Sequence, residues 1–120
     1  MADQMTEIHG VPTLVCAPDG PVIGTDRDAV DLIADAHGQG ASLVALPVQR
    51  LVPEFFRLRT GVAGEIAQKF VNYRMRLAVL GDVSDHLARS ETFASFVAET
   101  NRGAQLWFVA DADELAARLR

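Results

Sequence analysis

Apolar residues recur along this chain in two rhythms, and the alternation between the rhythms predicts the fold. Leu43-Val44-Ala45-Leu46, Leu77-Ala78-Val79-Leu80 and Leu106-Trp107-Phe108-Val109 are unbroken runs of strand length. Runs of that kind belong to strands buried on both faces. Between them the apolar positions return every three or four residues, which is the period of an amphipathic helix. The clearest such segment lies within Pro53 to Arg76. Val62, Ile66 and Phe70 stand four apart, and Ala63, Ala67 and Val71 repeat the spacing. At about 100° per residue these six fill one half of a helix. Glu65, Gln68, Lys69 and Asn72 fall on the other half, with Glu65 and Lys69 spaced as a favourable ion pair.

The rest of the chain extends the pattern. Residues 1–5 are expected to be frayed, and residues 6–120 to form one domain. Thr6 to Ile8 and Val11 to Ala17 read as two strands joined by a turn at His9-Gly10. Pro12 suits an edge or a strand start, because it has no N–H to donate. Pro18-Asp19-Gly20-Pro21 is a turn. Thr25 or Asp26 then caps a helix with Ala29, Val30, Leu32, Ile33 and Ala36 on its apolar face, and Gly38 or Gly40 ends it. After the first buried run, Val48 to Phe56 links to the central helix. Ser90 caps a third helix that carries Phe93, Phe96, Val97 and Thr100 on one face. Asn101-Arg102-Gly103 stops it. Asp111 with Glu114 makes a capping box for a last helix through Leu115 and Leu119. The order is β-β-α-β-α-β-α-β-α, an α/β domain with a mainly parallel sheet and right-handed crossovers.

Composition narrows the function classes. The 120 residues are 49 % hydrophobic and 22 % charged, an ordinary globular balance. The net charge of −5 argues against a nucleic-acid or anionic-membrane partner, since both call for a basic surface. The polar N-terminus has no secretory h-region, and no apolar run approaches a membrane span. The single cysteine, Cys16, excludes an intramolecular disulfide and fits a cytoplasmic setting, where it reads as a small buried apolar side chain. Ten arginines to one lysine, with abundant alanine, point to a bacterial coding bias.

Motifs for chemistry are sparse. There is no Walker loop, no Gly-x-Gly-x-x-Gly and no nucleophile elbow. His9, His37 and His86 share no ligand spacing, so no metal and no cofactor is expected. Asp28, Asp31 and Asp35 form an acidic stripe that reads as a solvated helix face. Gly61 and Gly64, spaced Gly-x-x-Gly, are expected where backbone packs closely. What remains is the rim where parallel strands end, the usual ligand site of open α/β sheets. It would gather Gln49, Arg50, Arg57, Arg59, Thr60, Gly61, Asp82, Ser84, Asp85 and His86. Arginines beside a helix N-terminus favour a phosphate or a carboxylate. The plainer alternative is that Thr60 is a helix cap and the arginines pair with surface acids.

Two resemblances enter on these residues. The string Phe55-Phe56-Arg57-Leu58-Arg59-Thr60-Gly61-Val62-Ala63-Gly64-Glu65-Ile66, followed by Lys69 to Arg74, resembles the signature of a bacterial family, domain of unknown function 4180. Gly81-Asp82, Asn101-Arg102-Gly103 and the Trp107-Phe108-Val109 strand share that resemblance, which covers nearly the whole chain from Thr6. The family implies no particular activity. More distantly, the element order and the Thr-Gly-Val at the second helix resemble the domain of sulfate transporters and anti-sigma-factor antagonists, the STAS domain. That resemblance implies a small, non-enzymatic, partner-binding domain with a phosphoacceptor hydroxyl at Thr60 and a glycine at Gly61. Leu58 stands where that family has Asp, and Arg59 where it has Ser, which weakens the case for phosphoregulation.

Three functional readings follow. The first is a non-catalytic regulatory or protein-interaction module, compatible with a homodimer. The second is a binding domain for a small anion, with Arg57, Arg59, Thr60, Gly61 and Gly64 at the lead-in to the central helix. The third is an enzyme that uses Asp82 and His86 as acid and base.

Overall fold

The computed structural model describes residues 3–120. Five strands form one mixed sheet in sequential order: β1 (Gln4–Ile8), β2 (Val11–Val15), β3 (Leu43–Pro47), β4 (Arg76–Leu80) and β5 (Leu106–Val109). β1 and β2 make the expected antiparallel hairpin, and all later neighbours pair in parallel. His9 and Gly10 both take positive φ, 48° and 81°, as a tight two-residue hairpin turn needs. The expected fraying of residues 1–5 falls partly outside the described residues. The rest is ordered: Gln4 and Met5 pair in β1, and the Asp3 carboxylate accepts the Ala17 N–H at 2.8 Å.

The helices are α1 (Asp26–Gly38), α2 (Val62–Asn72), α3 (Ser84–Arg89), α4 (Glu91–Arg102) and α5 (Ala112–Arg118). Thr25 caps α1 in a full capping box with Asp28. Crossovers of one hand between sequentially ordered parallel strands must leave their helices on one side of the sheet. Accordingly α1, α2 and α4 share one core with Leu14, Val44, Leu46, Leu77, Val79, Leu106 and Phe108. The alternate residues Leu43, Ala45, Ala78, Trp107 and Val109 form a second core, closed by Leu115 of α5. The three runs read as doubly buried strands therefore have a core on each face. The guanidinium groups of Arg76 and Arg118 each stand over the Trp107 ring, at 4.9 and 4.7 Å from its centre.

The buried stripe of α2 is narrower than the six-residue half-cylinder that spacing predicts. Ala63, Ile66 and Phe70 are buried, Val62 and Ala67 are half-buried, and Val71 is exposed. Ile66 and Phe70 point at the sheet and α1, and Val71 has rotated past both. Glu65 and Lys69 make no ion pair among the described residues; Gln68 bonds Asn72 on that face instead, at 2.8 Å. Two features were not legible as elements. The link after β3 contains three short 3₁₀ turns (48–50, 53–56 and 58–60), and the segment after β4 forms α3.

Candidate functional site

The link and α3 meet at the C-terminal ends of β3 and β4, where an open α/β sheet offers its crevice. An aromatic cluster holds them together. It takes five of the six phenylalanines, Phe55, Phe56, Phe93, Phe96 and Phe108, with His86. Phe55 and Phe93 are fully buried, and Phe56 nearly so. The His86 ring stacks on Phe56 with centroids 4.1 Å apart, and the edge of Phe93 meets both rings at 5.8 and 6.1 Å.

Above this cluster opens a cavity of about 500 Å³. The link contributes Pro53, Phe56, Arg57, Leu58 and Arg59 to its wall. The start of the α3–α4 corner contributes His86, Arg89, Ser90 and Thr92. Three arginines face the cavity, and no carboxylate lines it. Arg57, Arg59 and Arg89 are exposed and make no ion pair among the described residues. In a chain of net charge −5 this is a local reversal of sign. Ser90 caps α4 by accepting the Phe93 N–H at 3.1 Å, which leaves its own hydroxyl hydrogen free to donate.

Of the residues singled out by the sequence, Arg57, Arg59 and His86 are brought together on this cavity, and Thr60, Gly61, Gly64 and Asp82 are not. The Thr60 hydroxyl lies 2.8 Å from the Glu54 carbonyl oxygen and 2.7 Å from that of Arg57, to which it donates. It accepts the Val62 N–H at 3.3 Å. Thr60 thus closes the 3₁₀ turn, and the N-cap of α2 is Gly61. Gly61 has φ +83°, a conformation that is costly for any L-residue and free for glycine, with open space around it. Gly64 is exposed and a side chain there would meet nothing within 4 Å. Close packing, the expected reason for both glycines, is therefore corrected: the first is a matter of backbone hand, and the second has no neighbour. Asp82 accepts the Ser84 N–H at 2.9 Å, and Ser84 holds its carboxyl below the usual aspartate range.

Arg50 was expected on the open rim, but it is buried and committed elsewhere. Its guanidinium donates to the Pro21 carbonyl at 2.6 Å, the Ala17 carbonyl at 2.9 Å and the Asp3 carboxylate at 3.1 Å. It ties the start of β1 and the 17–21 turn to the link, and it does not line the cavity. Gln49, Ser84 and Asp85 are exposed and lie off the cavity. Burial pushes the Cys16 thiol up to about 12, so it is a buried apolar group and not a nucleophile. The stripe of Asp28, Asp31 and Asp35 lines a smaller cavity of about 280 Å³. Each carboxylate there has a local partner, in Gly24 and Thr25, Arg27 and Gln39 respectively. No group of metal ligands occurs among the described residues, nor does a helix long and apolar enough to cross a membrane.

Sequence reasoning missed Arg89. It stands three residues after His86, on the same side of a helix that the pattern did not reveal. That spacing was the only available signal.

Fold and site together define a single α/β domain with a five-stranded mixed sheet and a basic crevice at its parallel strand ends. Residues 8–119 match the family described as domain of unknown function (DUF4180), and the chain belongs to that family. No curated protein and no solved structure matches the chain.

Proposed function

We propose that this protein is a regulatory module without chemistry of its own, and that it holds a small anion in the crevice between residues 53–59 and 86–92. One observation carries the reading: Arg57, Arg59 and Arg89 face a single cavity that no carboxylate lines. Unpaired guanidinium groups around a concave, partly apolar wall attract phosphate or carboxylate and orient it through fixed N–H geometry. The acid–base reading of Asp82 and His86 has less support. Asp82 is bonded to Ser84 and lies off the cavity, and the His86 ring is stacked on Phe56.

The STAS-like reading of the fold stays part of the proposal. It is supported by the sequential sheet with one antiparallel strand at its start, and by Thr60-Gly61 ahead of α2. Under that reading a bound anion would alter the surface shown to a protein partner or a second copy, in a cytoplasmic, bacterial setting.

Chemical-shift titration of the full chain with sulfate tests the anion site. Amides of residues 53–59 and 86–92 should move together, and the response should shrink as ionic strength rises. Shifts confined to other regions would sink the assignment.

A further inference from the structure

We infer that the crevice takes a phosphate monoester with an apolar or aromatic body, a small organic molecule and not a bare inorganic anion. This rests on the anion-site reading above and deepens it. The first ground is how the charge is divided. Arg57 and Arg59 belong to the link, and Arg89 belongs to the helical corner on the other segment of the wall. A carboxylate carries one negative charge on two oxygens, and a single bidentate guanidinium already matches that charge and geometry. A phosphate monoester has three terminal oxygens and close to two negative charges, so it can be held from both segments at once. The hydroxyls of Ser90 and Thr92 stand on the same segment as Arg89 and add donors of the kind a third oxygen needs.

The second ground is space. The cavity, about 500 Å³, is within the usual range for small-molecule sites, and an inorganic phosphate would leave most of it to water. The third is the rest of the wall. Pro53, Phe56 and Leu58 are apolar and come from the same segment as two of the arginines. A ligand that presents its phosphate to the arginines therefore lays its ester group against an apolar surface, which rewards a body that is itself apolar.

The test uses the full chain, titrated calorimetrically at fixed ionic strength with phenyl phosphate, inorganic phosphate and phenol. Phenyl phosphate should bind at least about tenfold tighter than inorganic phosphate, with phenol weaker than both. Arg57→Ala and Arg89→Ala should each weaken phenyl phosphate by about tenfold while the circular dichroism spectrum is unchanged, since both side chains are exposed. Equal affinity for phenyl phosphate and inorganic phosphate overturns the organic-ligand inference and leaves the anion site standing. No binding of either anion overturns both. Binding that is indifferent to Arg89→Ala overturns the two-segment grip. A phosphotyrosine peptide that binds more than about tenfold tighter than phenyl phosphate would give the site to a protein partner, and would overturn the small-molecule assignment.

Discussion

The imidazole of His86 lies flat on the ring of Phe56, 4.1 Å between centroids and 7° between planes. Thirty residues of sequence separate the two. Phe56 ends a 3₁₀ turn that leads toward α2, and His86 sits in the first turn of α3. The stack is therefore the joint between the two segments that carry the arginines. Stacked or edge-packed rings contribute roughly 0.5–1.5 kcal/mol beyond simple burial. His86→Ala should lower stability in a urea titration by about 1 kcal/mol and weaken anion binding with it. Phe56→Ala should cost more, about 3–5 kcal/mol, because that ring is almost wholly buried. An unchanged urea midpoint for His86→Ala would show that the rings do not couple the segments.

Two glycines three residues apart should respond with opposite signs. Gly64 lies inside α2, exposed, with nothing near a new side chain. Gly64→Ala should raise stability by about 0.5–1 kcal/mol, the helix-propensity gain. Gly61 has φ +83°, so Gly61→Ala should lower stability by about 1–2 kcal/mol. Thermal melts of the two variants decide it, and melting temperatures that move the same way would refute the local backbone account.

Arg50 and Asp3 form the one ion pair with a buried member among the described residues, with side chains 3 % and 20 % exposed. Removing the acid leaves a buried charge short of its counter-ion. Asp3→Ala should cost about 3 kcal/mol, the low end for such pairs because Asp3 keeps contact with water. Arg50→Met should cost more. It also strips the donors that Arg50 gives to the Ala17 and Pro21 carbonyls. Urea midpoints that rank the two variants the other way would show that the charge matters less than Asp3's bond to the Ala17 N–H.

The capping box of α1 makes stability sensitive to acid. The Gly24 N–H, then the Thr25 hydroxyl and N–H, hold the Asp28 carboxyl below its ordinary 3.8. A carboxyl that is more acidic folded than unfolded adds stability above its unfolded value. That contribution is lost as pH falls below about 3.8 and on through the lower folded value. Asp28→Asn should therefore destabilise at neutral pH and narrow its gap to the parent chain in acid. Melting curves recorded from neutral pH down to pH 3 check this, and a gap that stays constant would place the effect outside ionisation.

Much of the scaffold could be read from the chain. Leu43 to Leu46, Leu77 to Leu80 and Leu106 to Val109 were legible as buried strands because a strand closed in on both faces has no polar positions to break the run. The caps at Thr25, Ser90 and Asp111 were legible because they satisfy N–H groups only two or three residues away. The family was legible in the string around Arg57 to Ile66, and residues 8–119 bear it out. At the site the sequence itself determined that a basic stretch precedes a helix, with Arg57, Arg59 and Thr60 close by. Only the tertiary structure decided which of these face the same space. Thr60 turns its hydroxyl to backbone carbonyls within six residues, donating to that of Arg57, and Arg50 turns inward to Asp3 across forty-seven. Arg89 joins Arg57 and Arg59 because Phe56, His86 and Phe93 pack their rings across the crevice. Caps and turns depend on partners a few residues apart, so spacing discloses them. A cavity wall depends on which surfaces the core presses together, and no local spacing encodes that.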